Sequence, residues 1–489
     1  MAVHCSSESC RLCGACRWYI KGESSGTKTW SPANGTFPPT PGGDPHSGLQ
    51  RLHNATGWVY TAHNRMWAGD TTYAKQNGGD FDFTIAGGTS LPMTQDFWMW
   101  LIGDSVKWGL QMYEQDWLYT EFVGVNGTLL RSATLGRQWL MQMDRGVHHY
   151  NLGLQLCMAW PRHVLQSLEM PSVTQGRGSP DYNVKSDQGA PQTGPGTDGG
   201  HSGHQWRIGD NALFLDAIAL RPTKDCFQSN QSSGERYPRL QAAVSSLSGG
   251  PVFPCDEIGT SDVALIMRSC NKDGELLQPT RSAAPIDASI AWKAGVNVGA
   301  NASGEIWQAD SWLDGEDALS GIHYPQVIAA DSGAYTLTMA ELLDEGEAAP
   351  PLGFVAVEAN SSATGDKATA VTASASLSLP ATTEATFNVW TFCPRLGSGW
   401  ALLGECSTKW VPVSPQRFFD IVDDSADGLS VRVKGEENTS NNHSAPPPLP
   451  TVSQSPGWFC DRSQRSDMRG WSQALRTKSC RSLPRRRGA

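Results

Sequence analysis

The sequence predicts an α/β protein: a (β/α)8 TIM barrel, incomplete at its N-terminal end, followed by an antiparallel β-sandwich. Three observations carry that expectation. From about Leu49, short apolar runs alternate with amphipathic segments, the pattern of βα units on a mostly parallel sheet. One run, Gly109 to Tyr113, passes directly into the acidic and aromatic cluster Glu114-Gln115-Asp116-Trp117, and in a parallel barrel the C-terminal ends of strands are where catalytic side chains stand. Beyond Asp287 the runs crowd between Gly, Pro and Asn turns, as antiparallel strands do.

Composition bounds the rest. A chain of 489 residues is long for one ordinary domain and suits a barrel plus a smaller module. Charged residues make up only 18%, with 51 Gly, 30 Pro and 19 Trp, which fits a loop-rich protein with many aromatic contacts better than a helical scaffold. The net charge of -10 argues against nucleic acid or an anionic membrane as partner. No run of about 18 apolar residues is present, so no membrane span is expected.

Residues 1–48 read as a Cys/Ser/Gly-rich leader, disordered or mis-started. Met1 to Ile20 has no apolar core of the kind a secretory signal needs. Against that, eight Asn-x-Ser/Thr sequons (Asn34, Asn54, Asn126, Asn230, Asn301, Asn360, Asn438, Asn442) would suit a secreted or lysosomal/vacuolar route. The spacing of Cys5, Cys10, Cys13 and Cys16 has the look of an iron–sulfur or zinc run, yet the flanking residues offer no folded surround. His148-His149 and the pair His201 and His204 lack a third ligand at metal spacing. No metal and no cofactor are therefore expected.

The barrel domain is placed at 49–290. Its candidate strands are Gly57 to Ala62, Gly109 to Tyr113, Leu152 to Met158, Ser172 to Gln175, Ala217 to Leu220 and Gly250 to Phe253, with helices at Thr94 to Trp108, Arg207 to Asp216 and Pro238 to Leu247. Six strands are two short of a barrel, so either the leader hides divergent strands or the barrel is incomplete. The Gly/Pro/Ser-rich stretch 185–204 reads as a mobile insert near the mouth. A sandwich at 295–436 rests on Glu305 to Gln308, Phe354 to Val357, Phe387 to Thr391 and Leu429 to Val433. Residues 437–489 read as a disordered tail.

The strand ends define one polar set. After the first strand come Arg65, Trp67 and Asp70; after the second, Glu114, Asp116 and Trp117; after the third, Arg162; after the fourth, Arg177 and Asp181; after the last, Asp256. Carboxylates and arginines hold sugar hydroxyls, Trp packs on apolar sugar faces, and glycosidic cleavage needs two carboxylates. Each residue also has a plainer reading. Asp116 could cap a helix, Asp181 could belong to a Ser-Pro-Asp turn, Arg177 could pair with a structural carboxylate, and Trp67 could close the barrel core.

The motifs Tyr113-Glu114-Gln115-Asp116-Trp117, Arg177-Gly178-Ser179-Pro180-Asp181 and the segment Ser248 to Asp256 occur in an order that resembles the glycoside hydrolase clan of α-galactosidases, α-N-acetylgalactosaminidases and raffinose synthases. The likeness is strongest to the clan's eukaryotic branch with a Tyr-Glu-Gln-Asp-Trp motif, and it covers roughly residues 50–290. It implies a retaining α-glycosidase in which Asp116 is the nucleophile and Asp181 the acid/base. The transferase counterpart would use the same residues, and a non-catalytic carbohydrate-binding or degenerate barrel is the alternative that the missing early strands favour. Trp67, Asp70, Arg65, Glu114, Trp117, Arg162, Arg177 and Asp256 are expected to bind the carbohydrate substrate. One departure bears on the sugar: many members carry Lys where this chain has Glu114.

Overall fold

The computed structural model describes residues 19–21, 26–31, 37–44, 46–57, 59–182, 205–257, 259–296, 302–315, 321–360, 367–423, 428–434 and 476–481. The chain divides into two compact units, Met1–Gln241 with Gly250–Asp262, and Ala242–Gly249 with Val263–Ala489. The first is α/β with a parallel sheet; the second is built mainly of antiparallel sheet.

The first unit runs β1 (Tyr19–Lys21), β2 (Thr27–Trp30), α1 (Ser47–Thr56), β3 (Tyr60–Asn64), β4 (Trp67–Ala68), β5 (Phe83–Ala86), β6 (Thr89–Pro92), α2 (Gln95–Val106), β7 (Leu110–Gln115), α3 (Leu118–Gly127), α4 (Leu135–His149), β8 (Gly153–Leu156), α5 (Pro161–Gln166), β9 (Val173–Arg177), α6 (Gly209–Asp216) and β10 (Arg221–Thr223). Helix α7 (Pro238–Leu247) starts in this unit and ends in the other. Strands β3, β7, β8, β9 and β10 form one parallel sheet in sequence order. Each crossover between them contains a helix, as parallel pairing requires.

Four of the six expected strands recur with small shifts in their ends. The expected strand Ala217 to Leu220 is instead the turn that follows α6, with Ala219 left-handed (φ 62°) and the Leu220 amide donating to Leu215; an apolar run at the end of a helix is indistinguishable from a buried strand by pattern alone. The sheet resumes at Arg221. The expected strand Gly250 to Phe253 is reduced to one parallel bridge, Phe227 to Pro254. Among the described residues the sheet is thus five-stranded, and no closed ring of eight is formed.

Helices cover one face of this sheet. In α4 the buried Trp139, Leu140, Met143 and Val147 recur at helical spacing and share a core with Ile102 of α2, Tyr113 of β7 and Leu154 and Leu156 of β8. A second sheet, ordered β1-β2-β4-β6-β5, draws on residues expected as leader. Trp30 of β2 is buried and its indole donates to Ser105 at 2.9 Å. Cys5, Cys10, Cys13, Cys16 and the insert 185–204 lie outside the described residues.

The second unit contains α8 (Val263–Ile266), β11 (Arg281–Pro285), α9 (Asp287–Lys293), β12 (Gly304–Leu313), β13 (Ile322–Ser332), β14 (Tyr335–Thr338), β15 (Phe354–Asn360), β16 (Lys367–Val371), β17 (Ser376–Leu379), β18 (Asn388–Pro394), β19 (Phe418–Asp423), β20 (Gly428–Val433) and β21 (Arg476–Arg481). Its main sheet is antiparallel, ordered β11-β12-β13-β18-β15-β16. Along β15, Phe354 and Ala356 pack in one core with Leu337 of β14 and Leu379 of β17, while Val355 and Val357 pack in another with Leu429 and Val431 of β20. Both faces are covered, so β18 is buried along its whole length instead of alternating. The rest of the expected tail lies outside the described residues.

Candidate active site

The face of the parallel sheet away from the helices is polar. Register places His63 of β3 beside Glu114 of β7, Glu114 beside Gln155 of β8, and Gln155 beside Gln175 of β9. All four are buried. Side chains two residues further along a strand return to the same face, and there stand Asp116, Cys157 and Arg177, with Asp225 just past β10.

Asp116 is held by both oxygens. His63 Nε2 lies 2.7 Å from Oδ2, and the amide of Trp117 donates to Oδ1 at 2.8 Å. The two side chains of the His63–Asp116 pair are 3% and 2% exposed. Burial by itself would raise the Asp116 carboxyl, but the hydrogen bond and charge of His63, the charge of Arg177 and a hydrogen bond from the Cys157 thiol carry it down to about 2. Burial pulls the His63 imidazole the other way, and its bond to Asp116 with the charges of Asp116 and Glu114 nevertheless raises it. Each partner's shift thus favours its charged form. Trp117, immediately after it, has left-handed backbone (φ 59°), as does Met158 after Cys157 (φ 45°). Non-glycine residues in that region are costly, and such strain clusters at functional sites.

Arg177 links the rest. Its Nη2 is 2.6 Å from Asp181 Oδ1 and its Nη1 3.4 Å from Asp225 Oδ2. The guanidinium is 4% exposed, Asp181 30% and Asp225 fully buried. Asp225 also accepts from the amides of Tyr182 (2.7 Å) and Cys226 (2.8 Å), so it fixes both the guanidinium and the start of the loop that carries Asp181. On the helix side, Asn64 donates to Tyr113, Tyr113 to Gln115, and Gln115 to Glu121. Burial and the charge of Asp116 push the Glu121 carboxyl well up, which favours its neutral form.

Of the residues expected at the site, the structure brings together Glu114, Asp116, Trp117, Arg177 and Asp181. Arg65 joins them, with its guanidinium 5.2 Å from the centre of the Trp117 ring. The remaining four stand elsewhere. Trp67 has no accessible ring face: it is fully buried among Tyr73, Phe83 and Phe97, because the strand it was assigned to ends at Asn64 and a second sheet begins. Asp70 pairs with Lys28 of β2 at 2.7 Å. Arg162 is exposed on α5 and lies over Phe122 of α3, 4.3 Å from its centre. Asp256 accepts from the amide and hydroxyl of Ser229, both at 2.7 Å.

His63, Cys157 and Asp225 were not among the expected site residues. His63 escaped because only the pairing of β3 with β7 sets it beside Glu114. Asp225 was hidden by the misplaced strand before it. Among the described residues no group of three or more His, Cys, Asp or Glu could hold a metal ion, and no helix is long and apolar enough to cross a membrane.

Residues 134–293 match the family model described as raffinose synthase or seed imbibition protein Sip1, which bears out the resemblance to the clan read from the sequence. The matched stretch is about a third of the chain; it contains Arg177, Asp181 and Asp225 but begins after Asp116. No curated protein matches. Similar solved structures include α-galactosidase I from Mortierella vinacea (11% identity, TM-score 0.44, covering 77% of this chain and 85% of that one). A debranching enzyme from Nostoc punctiforme is similar at 11% identity and TM-score 0.36, over 79% and 83% of the two chains. CelM2, a bifunctional glucanase-xylanase from a metagenome library, is similar at 9% identity and TM-score 0.32, over 72% and 86%.

Proposed function

We propose that this chain is a retaining α-glycosidase of the α-galactosidase type, working on the polar face of the parallel sheet of β3, β7, β8, β9 and β10. Asp116 attacks the anomeric carbon while Asp181 gives its proton to the departing glycosidic oxygen. Water then opens the covalent glycosyl ester as Asp181 takes the water's proton and Asp116 leaves as carboxylate.

The observation that carries this reading is the charge line Asp116–Arg177–Asp181. One carboxylate is sealed and held as the anion, as a nucleophile must be. The other is 30% exposed, ion-paired to the same guanidinium at 2.6 Å and open to solvent. Two carboxylates in contrasting environments are what the two roles require. Arg65, Glu114 and Trp117 stand beside Asp116 and are assigned to the sugar, with Glu114 replacing the lysine of many relatives. The sequence match to raffinose synthases favours a second reading of the same residues, in which a sugar acceptor replaces water.

The test is hydrolysis of an aryl α-galactoside. Asp116→Asn is expected to lower kcat by at least about a thousandfold without loss of fold, and Asp181→Ala to spare substrates with good leaving groups more than poor ones. Full activity in Asp116→Asn would overturn the assignment. A product ratio that shifts from hydrolysis to transfer as free sugar is added would select the second reading.

A further inference from the structure

The proposed mechanism leaves His63 unused, although its Nε2 lies 2.7 Å from Asp116 Oδ2. We propose that His63 is a positioning residue that clamps the Asp116 carboxylate and stabilises it as it leaves the glycosyl ester. The inference rests on Asp116 being the nucleophile.

Geometry supplies the first argument. Asp116 lies one residue past β7, where its backbone is turning toward the left-handed Trp117, so β7 alone does not fix the carboxylate. The next residue supplies one donor, the Trp117 amide, and neighbouring strands supply the others, His63 Nε2 from β3 and the Cys157 thiol after β8. Donors from separate elements leave the carboxylate a single orientation. His63 has no comparable freedom: it stands within β3, paired in register with Glu114 and buried.

Charge supplies the second. The groups facing the pair are Glu114 from β7, Cys157 after β8, Arg177 from β9 and Glu121 from α3. When Asp116 forms the ester its negative charge disappears, and when water displaces it that charge returns. The second step therefore gains from a donor already aimed at the departing oxygen, because a preorganised donor is worth most where charge develops. No bond to His63 forms or breaks in either step.

The readout is which step limits turnover. With an activated aryl α-galactoside, His63→Leu is expected to lower kcat about a hundredfold. The deficit should fall on ester hydrolysis, giving a burst of aryl alcohol, a lowered KM and one hexosyl adduct by intact mass; His63→Gln, which keeps a donor, should recover part of it. A merely structural His63 would lower the melting temperature without burst or adduct, and that result, or kcat within about twofold of wild type, would overturn the proposal.

A second measurement separates this inference from the reading beneath it. In NMR titration the His63 midpoint should fall by about one pH unit in Asp116→Asn. If the wild type cleaves no α-glycoside yet this fall is seen, the clamp stands and the glycosidase reading fails. If the midpoint does not move, the clamp fails whatever the activity.

Discussion

Arg177 is the residue through which the two candidate carboxylates communicate. It is buried, its charge reaches Asp116 and Cys157, and its two terminal nitrogens face Asp181 and Asp225. A lysine has the charge but not the fork, so it can serve one of these carboxylates at a time. Arg177→Lys is therefore expected to keep the fold while lowering kcat/KM about a hundredfold, the scale of a small misplacement of a reacting group. Initial rates on the aryl substrate beside a circular dichroism spectrum would check it; an active Arg177→Lys would reduce the guanidinium to structural glue.

Much at this scale could be read from sequence, because Asp116, Arg177 and Asp181 belong to local motifs. What escaped depends on register across strands. His63 meets Asp116, and Asp225 meets Arg177, only once β3 pairs with β7 and β10 with β9. Trp67 shows the converse: a tryptophan three residues past a strand looks like a sugar platform until a neighbouring sheet buries it.

At the scale of elements, the second unit contains a charged cluster that sequence pattern does not reveal. His323 of β13 lies between Asp310 of β12, 2.8 Å from Nε2, and Glu347, 2.9 Å from Nδ1. Arg281 of β11 bridges Asp310 and Asp344 and lies over Trp312, whose ring stacks on His323 at 4.3 Å. Burial pulls the imidazole down, but Asp310 and Glu347 raise it above its ordinary value.

A raised folded pKa fixes the sign of the pH effect. The cluster's contribution is full below the unfolded value of about 6.5 and is lost as pH rises through the folded one. His323→Gln should cost about 3 kcal/mol at pH 6, the scale of a broken buried pair, and less at pH 9. Denaturant unfolding at both pH values would test this; an equal cost at both would mean that the imidazole is neutral throughout. Strand β13 was not among the expected strands, and it contains Pro325, a residue that a central strand ordinarily excludes. The structure accommodates it at the end of the β18 ladder, which runs only from Gln326 to Ala329.

At the scale of the whole molecule, the last parallel strand ends at Thr223 and the first antiparallel one begins at Arg281, and the compact units are not continuous stretches of chain. The chain passes between them at Gln241, Gly249 and Asp262. No single cut yields either unit intact, so heating the whole chain is the better probe of their independence. Each unit has its own apolar core and its own buried ion pair, His63–Asp116 in the first and His323–Asp310 in the second. The pairs differ in their pH windows. Asp116 is depressed to about 2, so its contribution is present above the unfolded value of about 4 and is lost as pH falls through about 2. His63 and His323 are both raised, so their contributions fade as pH rises above about 6.5. Calorimetry at pH 6 should resolve two transitions, because separate cores melt with separate enthalpies. Asp116→Asn should lower one and leave the other in place, and His323→Gln should do the reverse. Between pH 4 and pH 3 the first unit's transition should fall further in the wild type than in Asp116→Asn, since only the wild type has that carboxylate to protonate. A single transition that both substitutions shift equally would show that the three passages of the chain make the two units melt as one.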